Sequence, residues 1–115
     1  PILYAFSYPH RLPLSGERLN LFKLQTMHFE VADTERFPSL RLAYEAIEIG
    51  GNMPCILNAA GEIANSAFRH ERIAFYQIPA IIEKTMQTAT YDASSSLETY
   101  LTTDSEARRI ATSLI

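Results

Sequence analysis

The sequence predicts a mainly α fold: a C-terminal helical bundle of four to five short helices, preceded by an irregular arm with one short strand. Three observations lead there. From residue 38 onward apolar residues recur at three- and four-residue spacings, the period of an amphipathic helix. Pro38, Pro54 and Pro79 stand where helices would open, and Gly50-Gly51 where one would close. Before residue 33 the chain mixes turn residues with short apolar pieces and sustains no helical period.

Taken in order, residues 1–10 are apolar and aromatic. They read as a short helix in preference to an extended arm, with Pro1 at its first position, Ile2, Leu3, Ala5 and Phe6 on one face and Pro9 at its end. Residues 11–25 hold Pro13, Ser15 and Gly16 and read as an irregular connector lying on a surface. In residues 26–31, Met27, Phe29 and Val31 alternate with Thr26, His28 and Glu30, a period of two that predicts a short strand. The first bundle helix opens at Pro38, with Leu40, Ala43, Tyr44 and Ile47 inward and Arg41, Glu45 and Glu48 outward. Asn52 is expected to cap a second helix whose Ile56, Ala59, Ala60, Ile63, Ala64, Ala67 and Phe68 form a broad apolar face. Gly61 within it costs about 1 kcal/mol relative to Ala, which predicts a packing reason for it. A third helix opens at Pro79, with Ile78, Ile81, Ile82, Thr85 and Met86 inward. Ser95-Ser96-Leu97-Glu98 fits a capping box for a short helix through Leu101. Asp104 then caps a last helix lined by Ala107, Ile110, Ala111 and Leu114.

Composition bounds the function. With 115 residues, 47 % apolar and 20 % charged, the chain is one domain or one domain plus an arm, not a disordered segment. A net charge of -3 gives no field for nucleic acid or an anionic membrane, so neither is expected as a partner. Cys55 is the single cysteine, which excludes a disulfide scaffold and fits a reducing compartment. No apolar run approaches the ~18 residues of a spanning helix, and the first ten residues lack the marks of a signal peptide. Starting with Pro rather than Met, the chain is expected to be a piece of a longer protein.

No catalytic set follows from the residues themselves. His10, His28 and His70 lack metal-ligand spacing and read as surface residues. Cys55 at a helix start has two readings, an activated thiol or a small core hydrophobe, and the second is preferred. Asp33 with Glu35, and Glu45 with Glu48, read as solvated carboxylates. Arg108 and Arg109 read as cations complementing a helix C-terminus. Asn58, placed beside the expected core, reads as a buried hydrogen-bonding residue or a ligand contact. The four glycines, Gly16, Gly50, Gly51 and Gly61, form no phosphate loop.

Three phrases carry a resemblance: Pro1-Ile2-x-Tyr4-Ala5-x-x-Tyr8-Pro9-x-Arg11, Phe29-Glu30-x-x-Asp33-x-x-Arg36-Phe37-Pro38-x-Leu40-Arg41-Leu42-Ala43-Tyr44-Glu45-Ala46, and Leu57-Asn58-Ala59-Ala60-Gly61-Glu62-Ile63-Ala64. Together they resemble the C-terminal part of the 1-deoxy-D-xylulose 5-phosphate reductoisomerases, as does Arg72-Ile73-x-Phe75-x-x-Ile78. Gly61 departs from the Asn usual in that family. The resemblance implies a homodimeric parent enzyme that uses NADPH and Mg or Mn. Its reaction isomerises and reduces its phosphosugar to 2-C-methyl-D-erythritol 4-phosphate in non-mevalonate isoprenoid biosynthesis, in the bacterial cytoplasm or in a plastid. It further implies that residues 1–32 are the tail of the catalytic domain and connector, and 33–115 the C-terminal helical domain. By the same resemblance, the acidic metal ligands, substrate-binding residues and glycine-rich NADPH loop belong to other parts of the parent. This chain then holds no catalytic residue and no metal ligand, binds no cofactor by itself, and is inactive alone. Phe6 and Tyr8 are the two positions expected to line the nicotinamide side of the cofactor pocket. The rival reading, from another class, is a free-standing helical protein-interaction module.

Overall fold

Four helices account for nearly everything buried in this protein. The computed structural model describes residues 2–94 and 96–115, and divides into two units, Pro1–Val31 and Ala32–Ile115. The second unit is the bundle: α3 (Pro38–Ile49), α4 (Met53–Arg69), α5 (Gln77–Thr88) and α6 (Leu97–Ser113). The first holds only α1 (Ile2–Ser7) and the single turn α2 (Leu21–Leu24). No strand occurs among the described residues.

In the bundle, α4 is the hub against which α3, α5 and α6 all pack. Its inward face is Ile56, Ala59, Ala60, Ala64 and Ala67, all buried, with Met53 at its start. Small side chains let the neighbouring axes come close, and the larger side chains Leu42, Ile81, Ile82 and Met86 fill the remaining space. Pro38 and Pro54 lie in first turns, where a missing N–H costs nothing. Pro79 is the third residue of α5, still within that unpaired first turn. At the other end of α3, Gly50 and Gly51 both take positive φ (70° and 55°) and reverse the chain.

Several expectations need correction. Residues 26–31 alternate but form no strand: a strand needs a neighbour for its N–H and C=O groups, and no paired segment is present among the described residues. The face of α3 is also different. Leu42 and Ala46 are buried, Leu40 and Ala43 half-buried, and Tyr44 and Ile47 exposed. Residues 97–113 are one helix rather than two. No Gly or Pro interrupts them, and Asp104 sits mid-helix, accepting from Arg108 Nε at 2.7 Å instead of capping. Ser96 is the cap of that helix, its Oγ accepting from Thr99 N at 3.1 Å; the part of the capping-box reading that falls on Ser95 lies outside the described residues, as does the placement of Pro1. Gly61 has no packing reason: a Cβ there would meet only Ile82 Cδ1, at an ordinary 3.8 Å. Phe68 and Leu114 sit at the margin of the core rather than inside it.

In the first unit, none of residues 2–31 is buried. Helix α1 closes with Ser7, whose carbonyl accepts from His10 N (2.8 Å) and whose Oγ donates to His10 O (2.6 Å). The turn α2 is missing from the expectation of an irregular connector. Its signal is Asn20, whose Oδ1 accepts from Phe22 N (3.0 Å) and Lys23 N (3.2 Å) as an N-cap does.

Candidate functional site

The two residues expected to line a cofactor pocket sit on or just beyond α1. Phe6 is 88 % exposed and Tyr8 74 % exposed. The Tyr8 ring meets Tyr4 edge to face, with centroids 5.8 Å apart, and the Arg11 guanidinium lies 4.5 Å from the Tyr4 centroid. Leu3, Tyr4, Ser7, Arg11, Leu12 and Leu14 form a shallow hollow beside them. Phe6 and Tyr8 are outside that hollow, so this unit offers them as open apolar surface. Such surface can flank a flat ring supplied from elsewhere.

The buried polar chemistry lies in the bundle, at Asn52. This side chain is 1 % exposed. Its Nδ2 donates to Thr90 O (3.0 Å) and Thr103 Oγ1 (2.9 Å), and its Oδ1 accepts from Asp92 N (2.9 Å). Its backbone N–H donates to Asp92 O at 2.9 Å. Asn52 therefore stands at the N-cap position of α4 yet makes no side-chain cap bond, because its amide is committed to the α5–α6 connector and to α6. The sequence predicts Asn58 as the buried amide; in the structure Asn58 is exposed and Asn52 is the buried one. The signal for Asn52 was the preceding Gly51. A Cβ on Gly51 would lie 2.5 Å from Asp92 O, so only glycine admits this approach of the two loops.

Two arginines cross-link helices. Arg41 donates to Glu45 Oε1 (2.6 Å) within α3 and to Glu83 Oε1 (2.9 Å) on α5. Arg108 donates to Asp104 within α6 and to Glu62 on α4. The hydrogen bonds that Arg41 donates to Glu83 and Glu45 raise its pKa above its ordinary value, and those that Arg108 donates to Asp104 and Glu62 raise that of Arg108. Each arginine is tied to two carboxylates. Arg108 is thus a bridge rather than a helix-end cation, since no basic residue lies in the last turn of α6. Asp33 is an Asx turn ahead of α3, accepting from Glu35 N (3.0 Å) and Arg36 N (2.8 Å).

Cys55 is half-buried, with its Sγ 3.6 Å from Tyr100 O. Burial, and then the Asp104 charge, push its thiol pKa up, with Arg108 opposing. That is the opposite of an activated nucleophile. His10, His28 and His70 are exposed, and His70 Nδ1 lies 2.8 Å from Ser66 O within α4. No group of three His, Cys, Asp or Glu residues among the described residues could hold a metal ion. In Asp104-Ser105-Glu106, Asp104 accepts from Arg108 and Glu106 from Thr90 Oγ1 (3.1 Å). No helix among the described residues is long and apolar enough to cross a membrane.

Comparison with known proteins supplies what the side chains do not. The family model described as the DXP reductoisomerase C-terminal domain matches residues 1–110. The 1-deoxy-D-xylulose 5-phosphate reductoisomerase of Bacteroides thetaiotaomicron is 50 % identical over 115 residues, covering 100 % of this chain and 30 % of its own length. That of Phocaeicola vulgatus is 48 % identical over the same span. Among solved structures, the Zymomonas mobilis reductoisomerase in complex with NADPH superposes with a TM-score of 0.89 at 43 % identity, over 98 % of this chain and 30 % of that one. A DOX-P reductoisomerase with fosmidomycin and magnesium gives 0.83 at 31 % identity, over the same shares. The chain spans about 30 % of the length of the curated relatives it matches. These matches do not favour a free-standing interaction module.

Proposed function

This chain belongs to the DXP reductoisomerase C-terminal domain family, and we propose that it is the C-terminal part of an NADPH-dependent enzyme that isomerises and reduces 1-deoxy-D-xylulose 5-phosphate. The observation that carries this reading is the 50 % identity sustained over every residue of the chain and over only 30 % of the relative. The parent is a homodimer acting in isoprenoid biosynthesis by the non-mevalonate route, in the bacterial cytoplasm or a plastid. Residues 1–32 end the catalytic domain and form the connector; residues 33–115 are the helical domain that buttresses it.

Within that parent, Phe6 and Tyr8 lie along the nicotinamide side of the NADPH pocket, giving it an apolar wall. What supports this is their exposure in a unit that buries nothing of its own. Such a wall excludes water beside the hydride-bearing ring and orients it; the hydride itself is the cofactor's chemistry. In this reading the divalent cation, Mg or Mn, is held by acidic residues elsewhere in the parent.

By itself the chain supplies one wall of the cofactor pocket without the groups that neutralise the substrate's charge, and is inactive. Incubating it with 1-deoxy-D-xylulose 5-phosphate, NADPH and Mn while following NADPH absorbance gives no turnover above background. Turnover would overturn the reading. In the full-length parent, Phe6→Ala raises the NADPH KM, whereas an unchanged KM would remove Phe6 from the pocket.

A further inference from the structure

Helix α3 is apolar on two opposite sides. One side carries Leu42 and Ala46, which are buried in the bundle core. The other carries Leu40, Tyr44 and Ile47, with Phe37 just before the helix, at successive spacings of three, four and three residues. At about 100° per residue this second stripe is centred roughly 160° around the helix from the first. Most of it is open: Tyr44 is 58 % exposed and Ile47 72 % exposed, Phe37 is also exposed, and Leu40 is half-buried. The spacing is that of an a/d seam, the pattern that accepts another helix lying nearly parallel or antiparallel. A helix apolar on both sides ordinarily packs a layer on each.

We propose that α3 is the middle layer of a three-layer packing, and that the Phe37–Leu40–Tyr44–Ile47 seam is covered by a helix from the part of the parent polypeptide outside these 115 residues. The inference rests on the reading of the chain as one part of a longer enzyme. The relatives it matches are more than three times as long, so the missing layer has ample polypeptide to come from. Charge adds to the description of the partner. Beside the seam Arg41 is committed to Glu45 and Glu83, while Glu48 is exposed and has no ion partner among the described residues. The covering helix therefore presents apolar side chains along the seam and a basic side chain opposite Glu48.

The test is side-chain labelling of the same face in two proteins. Ile47→Cys is placed in this chain and in the full-length parent, and maleimide uptake is read by peptide mass so that Cys55 is counted separately. Nitration of Tyr44 in both unsubstituted proteins reads the same face without any substitution. The expected result is fast modification in this chain and modification about tenfold slower or more in the parent. Equal rates in a parent that turns over substrate would overturn the seam while leaving the enzymatic reading intact; a parent without turnover would count against that reading instead, and the labelling ratio still decides the seam. Slow labelling already in this chain would overturn the inference too. If it were concentration-dependent, the cover would be a second copy; if not, another segment of these 115 residues.

Discussion

Gly61→Ala stabilises the bundle. Gly61 lies in the interior of α4, where glycine costs about 1 kcal/mol relative to alanine through the backbone freedom lost on folding. The penalty can be removed only if a methyl group fits. A methyl carbon on the Gly61 backbone would meet Ile82 Cδ1 at 3.8 Å, ordinary van der Waals contact, with nothing nearer. Part of the methyl is covered there, adding up to about 0.5 kcal/mol of apolar burial. The expected gain is about 1 to 1.5 kcal/mol, a rise in Tm of roughly 4–10 °C for a domain of this size. Thermal and urea unfolding followed by circular dichroism measure it. Gly51→Ala is the matched control of opposite sign. At φ 55° and with its Cβ 2.5 Å from Asp92 O, it is expected to lose about 2 kcal/mol or more. A destabilised Gly61→Ala variant would refute the reasoning, by showing that α4 and α5 need a closer approach than the structure has.

Three further outcomes are expected. Asn52→Ala removes three side-chain hydrogen bonds at a buried position and costs about 3 kcal/mol in urea unfolding; a loss under about 1 kcal/mol would deny Asn52 its role. Cys55 reacts with iodoacetamide more slowly than a free thiol at neutral pH, and the rate climbs only above the ordinary thiol range, because burial favours the neutral form. The sign for stability follows: the neutral thiol's contribution is intact below the unfolded pKa and is lost as pH rises through the raised folded value. The 115-residue chain self-associates through the exposed Ile2, Leu3, Phe6 and Tyr8, and a version lacking residues 1–25 does not; sedimentation giving identical monomers for both would contradict this.

Much of the bundle was legible because its signals are local. Pro38, Pro54 and Pro79 mark helix starts, Gly50-Gly51 marks a stop, and the alanines of α4 lie on one face in both reading and structure. The misreadings have physical causes. In α3 two apolar stripes compete, and the one with the larger side chains, Tyr44 and Ile47, looks like the core face although Leu42 and Ala46 are inside. In α6 Asp104 has the chemistry of a cap, but its i+4 neighbour Arg108 and the absence of any breaker favour continuous helix. Asn52 was legible as a helix start and illegible as a cross-loop tie, since its partners Thr90, Asp92 and Thr103 lie about forty to fifty residues away in the chain. The surface at Phe6 and Tyr8 carries no local chemistry; only the three resemblance phrases point to it.

The tie at Asn52 has a consequence for how the bundle tolerates change in length. A stretch between two helices ordinarily absorbs an added or deleted residue by bulging into solvent. Here the stretch after α5 is latched through Thr90 and Asp92 to Asn52 at the start of α4. One residue more or fewer between Ala89 and Asp92 would break that register and pull the latch open, so this short span is as intolerant of insertion as the interior of a helix.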